Sequence, residues 1–169
     1  MDYRSQLIKM IDKFNIQSVE ELREAEMIIL ADSKFRTIIK KKNYDTHLET
    51  LKKVKVRAQK LNPGDIDIPE SDKETLQLKR MFERCLIIFS GVCDAYIQMQ
   101  NLLKSKSEGA KVGFLEYKQV HNKVRFAKQN FSSTMNDLDV MYSDFADYGR
   151  NEETEELDGV EYMTYDSLK

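Results

Sequence analysis

Two histidines, two cysteines and one acidic loop are the residues whose types and spacing suit chemistry. His47 stands two residues before Glu49, the His-x-Glu pairing that zinc-dependent base deamination uses for a ligand and a proton shuttle. That chemistry also needs a downstream Pro-Cys-x-x-Cys, and none follows. A carboxylate-bridged di-iron bundle needs Glu-x-x-His pairs facing the core, but Tyr44 and Lys118 stand three residues before His47 and His121. His121 shares the spacing of Tyr117 and Val124, which predicts a core or boundary histidine held by one hydrogen bond. Cys85 and Cys93 lie eight apart, about 12 Å along a helix. Disulfide Cα atoms must approach within about 7 Å, so these two cannot pair with each other and read as small buried apolar residues. In "DIDIPE" at 65 to 70, Asp65, Asp67 and Glu70 approach calcium-loop spacing, yet Pro69 takes the fifth position and Glu70 the place of the turn glycine. Gly109 and Gly113 lack the Gly-Lys-Ser/Thr of a phosphate loop, and no Gly-x-Ser-x-Gly occurs. The expectation is therefore no catalytic, metal-binding or cofactor-binding residue.

Charge is distributed with more pattern. Residues 34 to 60 hold ten Lys or Arg against Asp45 and Glu49, whereas residues 135 to 169 hold eleven Asp or Glu against Arg150 and Lys169. Lys40, Lys41, Lys42, Lys52, Lys53, Lys55, Arg57 and Lys60 form a candidate surface for an anionic partner, either a nucleic-acid backbone or an acidic protein. Interleaved aromatics of the kind that stack on single-stranded bases are missing apart from Tyr44. In the acidic C-terminal stretch, Tyr162 and Tyr165 fall within short tyrosine motifs that a chain with eight tyrosines and this many acids produces by composition alone.

The elements that must carry these residues are helices. A third of the 169 residues are charged, prolines number two and glycines six, a balance rich in helix formers. Residues 2 to 14 read as a short amphipathic helix ended by Asn15. Ser18 with Glu21 forms a capping box that opens a second helix toward the basic run at 40 to 42. "NYDT" at 43 to 46 breaks or bends it, and Leu48, Leu51, Val54, Ala58 and Leu61 continue to the "NPG" stop at 62 to 64. Ser71 and Glu74 form a second capping box before the most apolar segment of the chain, 78 to 103. There Leu78, Phe82, Cys85, Phe89, Val92, Tyr96, Met99 and Leu103 step by fours and threes. Arg80, Glu83, Arg84, Asp94 and Gln98 fill much of the remaining circumference, which predicts a bundle core helix rather than a membrane span. After the polar turn at 104 to 113, Phe114, Tyr117, Val124, Phe131, Met135, Leu138, Tyr142 and Phe145 sustain the spacing to a C-cap at Gly149, with "SST" at 132 to 134 as a possible bend.

The predicted architecture is all-α: an antiparallel bundle of three to four long helices with a short N-terminal helix, spanning 1–149, and a disordered acidic tail at 150–169. Because Arg4, Lys9, Asp12 and Lys13 interrupt any signal-peptide core, a cytoplasmic location is expected. Three function classes fit. The leading one is a non-enzymatic interaction protein, an adaptor, inhibitor or assembly component that binds a protein partner through helix faces and charged surfaces. Second is a helical subunit contacting nucleic-acid backbone through 34–60, and third an enzyme with a site not readable from sequence. A homodimer is expected from the width of the apolar stripes.

Overall fold

The computed structural model describes residues 2–34 and 43–157, with side chains described through 31 and from 43 to 146. The described residues are all-α: α1 (Tyr3–Lys13), a π turn (Phe14–Val19), α2 (Glu20–Lys34), α3 (Tyr44–Gln59), a short 3-10 turn (Pro63–Asp65), α4 (Lys73–Ser107) and α5 (Phe114–Leu157).

α4 lies at the centre because it carries the longest line of buried residues among the described helices. Leu78, Phe82, Cys85, Phe89, Val92, Tyr96 and Met99 are all buried, as the spacing predicts, and Leu103 is half-buried. By length and composition α4 is also a helix that could cross a membrane; here α3 and α5 cover its apolar face. Asp72 caps it, the side chain accepting from the Thr75 backbone N–H. The sequence places that cap at Ser71; Asp72 takes it because its carboxylate also receives the Tyr3 hydroxyl and the Arg4 guanidinium, which a serine at 71 does not offer.

α1 and α2 do not separate at Asn15 as the sequence suggests. They form one rod through the π turn, and Ser18 caps nothing: it is buried, with its hydroxyl unpaired among the described residues. The reason lies in the apolar spacing. Phe14 and Val19 both point inward, but five residues of α-helix overshoot one turn by about 140°. A turn with i→i+5 bonding is wider and returns both to one face. This rod runs beside α4 in the same direction, since Tyr3 and Arg4 meet Asp72 while Phe14 meets Phe82 and Phe89 edge-on at 5.6 and 5.1 Å. α3 and α5 run back, which gives four antiparallel rods in up-down-up-down order. Phe131 closes the aromatic cluster on Phe89 at 5.4 Å. Ile66 and Ile68, from the loop after α3, plug into the same core.

α5 departs from its predicted course at both ends. The predicted stripe begins at Phe114 and Tyr117, yet both are exposed and burial begins at Val120. A strict seven-residue repeat drifts about 20° per heptad on a straight helix, so a stripe centred on buried Leu138 has rotated off the core by Tyr117. At the other end the backbone stays helical through Gly149 to Leu157, eight residues past the predicted cap. An interior glycine costs only about 1 kcal/mol, and the Glu-rich residues that follow are good helix formers. The "SST" segment makes no break; the Thr134 hydroxyl donates to the Asn130 carbonyl one turn back. Residues 158–169, with Tyr162 and Tyr165, lie outside the described residues.

Candidate interaction surfaces

Of the eight cations proposed for an anionic partner, Lys40, Lys41 and Lys42 lie outside the described residues. The other five sit on or just after α3, where Asn43 caps the helix by accepting from the Thr46 N–H. Lys55 Nζ donates to both carboxylate oxygens of Asp94 on α4, at 2.7 and 2.8 Å. Arg57 pairs with Glu21 on α2, and Lys53 pairs with Glu49 one turn back on α3 at 2.8 Å, an exposed bond that lowers the Glu49 pKa. Lys52 and Lys60 are exposed and form no ion pair among the described residues. α3 is thus tied to both neighbours, a third tie being Lys104 to Asp45 at 2.6 Å. From residue 52 to residue 60 the cations extend only about 12 Å, and Lys55 and Arg57 act as bundle fasteners rather than as free charge.

Of the two histidines, His121 leaves the core or boundary place its spacing suggests, and His47 is the buried one. His121 is exposed and stacks on Tyr117 at 6.1 Å between ring centroids. His47 is 7 % exposed, and its Nδ1 lies 3.2 Å from Gln100 Oε1, joining α3 to α4 inside the bundle. The signal for this pair was present but unused: Gln100 stands seven residues after buried Cys93, on the inward line of α4. Both cysteines are free and buried; burial pushes each thiol up to about 12, so neither is a thiolate at neutral pH. Cys85 Sγ lies 3.3 Å from Met135 Sδ. Among the described residues no three His, Cys, Asp or Glu side chains gather as a metal site, and the buried polar residues are Ser18, His47, Thr75, Gln100 and Thr134, with no Asp, Glu, Lys or Arg among them.

Between α2 and α5 runs a shallow groove of about 210 Å³. Val19, Leu22, Val92 and Phe131 form its floor, and Arg23, Glu26, Lys128 and Asp139 its rim. The rim is self-neutralising: Lys128 Nζ lies 3.0 Å from Glu26 and 5.9 Å from the centre of the Tyr96 ring. Burial, with Glu26 beside it, raises the Tyr96 phenol further above its ordinary range.

The outer face of α5 is the surface that sequence reasoning missed. Leu115, Gln119, Asn122, Phe126, Gln129, Ser133, Asn136 and Val140 are all exposed and follow steps of 4, 3, 4, 3, 4, 3 and 4 on the side away from buried Val120, Thr134 and Leu138, with Asn136 also lining the α2–α5 groove. Leu115, Phe126 and Val140 are 73, 72 and 63 % exposed. None of the eight is charged, in a chain that is 33 % charged, over about 38 Å of helix. Five of the eight are polar, so a search for apolar periodicity passes over them. Compared with protein-family models, with curated proteins and with solved structures, the chain matches none.

Proposed function

We propose that this chain is a non-enzymatic helical interaction protein that binds a protein partner through an exposed helix face. The observation that carries the reading is the uncharged, heptad-spaced outer face of α5. A solvated helix face normally carries charge, and a stripe with this spacing fits the geometry by which one helix seats on another. The exposed apolar residues Met27 and Ile28 near the end of α2 add surface of the same kind. Contact with a nucleic-acid backbone draws less support, because Lys53, Lys55 and Arg57 already hold acidic side chains. The test is capture from cells with cross-linking and mass spectrometry, comparing the native chain with Leu115→Glu/Phe126→Glu/Val140→Glu. Proteins retained by the first and lost by the second support the reading. An unchanged set overturns it, and retention of RNA that is lost with Lys52→Glu/Lys60→Glu would establish the nucleic-acid alternative.

A further inference from the structure

The outer stripe of α5 is complementary to itself when reversed. In an antiparallel pairing that sets Leu115 against Val140 of a second copy, the remaining layers follow without a shift. Gln119 meets Asn136, Asn122 meets Ser133, and Phe126 meets Gln129, with the two-fold axis falling between residues 127 and 128. Apolar residues at the two ends thus meet apolar residues, and the amide and hydroxyl side chains meet groups that can donate or accept in return. The two Phe126 rings flank the axis, offset from each other by about 4.5 Å along the helices.

Charge beside the stripe is polarised in the same sense. Lys118, Lys123 and Arg125 flank its N-terminal half, with Glu116 as the one exception and Lys123 also donating to Gln98; Asp137, Asp139 and Asp144 flank its C-terminal half, Asp139 from the rim of the α2–α5 groove. Lys128, held by Glu26, is not part of this set. Reversal places the basic half of each helix beside the acidic half of the other, whereas a parallel pairing puts like charges together. Flanking charges of this kind set orientation in coiled coils, and a two-fold interface must be self-complementary.

We propose that two copies of this chain associate antiparallel through the outer face of α5, with residues 115 to 140 as the seam. This rests on reading that face as an interaction surface and names its occupant. Three apolar residues of eight make a weak seam, so the dimer should form at roughly micromolar to hundred-micromolar concentration, in the range of transient interfaces. Sedimentation equilibrium of the full chain at low salt should show the mass rising from 19.8 kDa toward twice that value over this range. Salt should reverse the rise.

Lys118→Glu/Lys123→Glu/Arg125→Glu and Asp137→Lys/Asp139→Lys/Asp144→Lys each give a flank of one sign. Each alone should lose at least tenfold in self-association, and an equimolar mixture should recover it. All six residues are exposed, and circular dichroism verifies that the variants stay folded. Orientation is read by oxidation: Asn122→Cys mixed with Ser133→Cys should form disulfide heterodimers, while Asn122→Cys alone should not cross-link, the native cysteines being buried. A single-chain mass up to several hundred micromolar overturns the proposal, as does ready self-linking of Asn122→Cys, the mark of a parallel pair. Loss of the dimer together with stripe-dependent capture of another protein would defeat this inference and leave the interaction reading standing.

Discussion

Asp72 ties the start of α1 to the start of α4. Its carboxylate receives the Thr75 N–H and hydroxyl, the Arg4 guanidinium at 2.9 Å and the Tyr3 hydroxyl at 3.1 Å. Burial alone would raise its pKa, but these donors outweigh burial and hold it down to about 2. Because the folded value lies below the unfolded one, its stabilisation is complete above about pH 4 and fades as pH falls toward 2. Asn keeps the helix cap but not the charge, so Asp72→Asn should cost at most about 2 kcal/mol at pH 7, with Arg4 partly screened by solvent. The cost should shrink to near zero below pH 2, as denaturant melts across pH would record. His47 and Gln100 are a second pair worth dissecting. His47→Leu leaves a buried amide short of a partner, at about 1 to 3 kcal/mol, and His47→Leu/Gln100→Leu should regain part of that loss because neither polar group then remains. A double variant as unstable as the summed single variants would show that the two are not coupled.

At the scale of elements, the π turn between α1 and α2 decides whether Ser18 is a cap or a core residue. A capping serine replaced by alanine loses about 1 kcal/mol. Ser18 is instead buried with its hydroxyl unpaired among the described residues, and alanine is the better helix former. Ser18→Ala should therefore leave stability unchanged or raise it by up to about 1 kcal/mol, and a loss of that size in a thermal melt would restore the cap. α4 tolerates no comparable change on its inner face. Phe89 is fully buried between Phe14 and Phe131, and Phe89→Asp should unfold the chain by placing an unpaired charge there. Asp94→Ala, at the exposed pair with Lys55, should cost less than about 1 kcal/mol; a folded Phe89→Asp variant would refute this packing.

For the whole molecule, the basic N-terminal half divides into charges that fasten the bundle and charges left to solvent. Lys55 and Arg57 cross to α4 and α2, while Lys52 and Lys60 do not. Reversing Lys55 and Arg57 to Glu sets like charges against Asp94 and Glu21 and should lower stability by about 1 to 2 kcal/mol, whereas the same change at Lys52 and Lys60 should stay within about 0.5 kcal/mol. Equal effects in the two variants would mean that the cross-helix pairs contribute nothing measurable.

Sequence alone determined the all-α class, the central place of the Leu78 to Met99 stripe, the turn at "NPG" and the burial of both cysteines. Each follows from periodicity or from backbone chemistry carried by neighbouring residues. What only the tertiary structure decided are the relations between distant residues. The cap moved to Asp72 because Tyr3 and Arg4 fold back to it across nearly seventy positions. His121 went outward because a 3.5-residue pattern rotates off a 3.6-residue helix by that end of α5, and His47 met Gln100 only once α3 and α4 packed. Lys55 and Arg57 ceased to be free charges once α2 and α4 brought Glu21 and Asp94 beside them. The outer face of α5 became visible last, since polar residues in a stripe mark a surface only when the opposite side of the same helix is known to be buried.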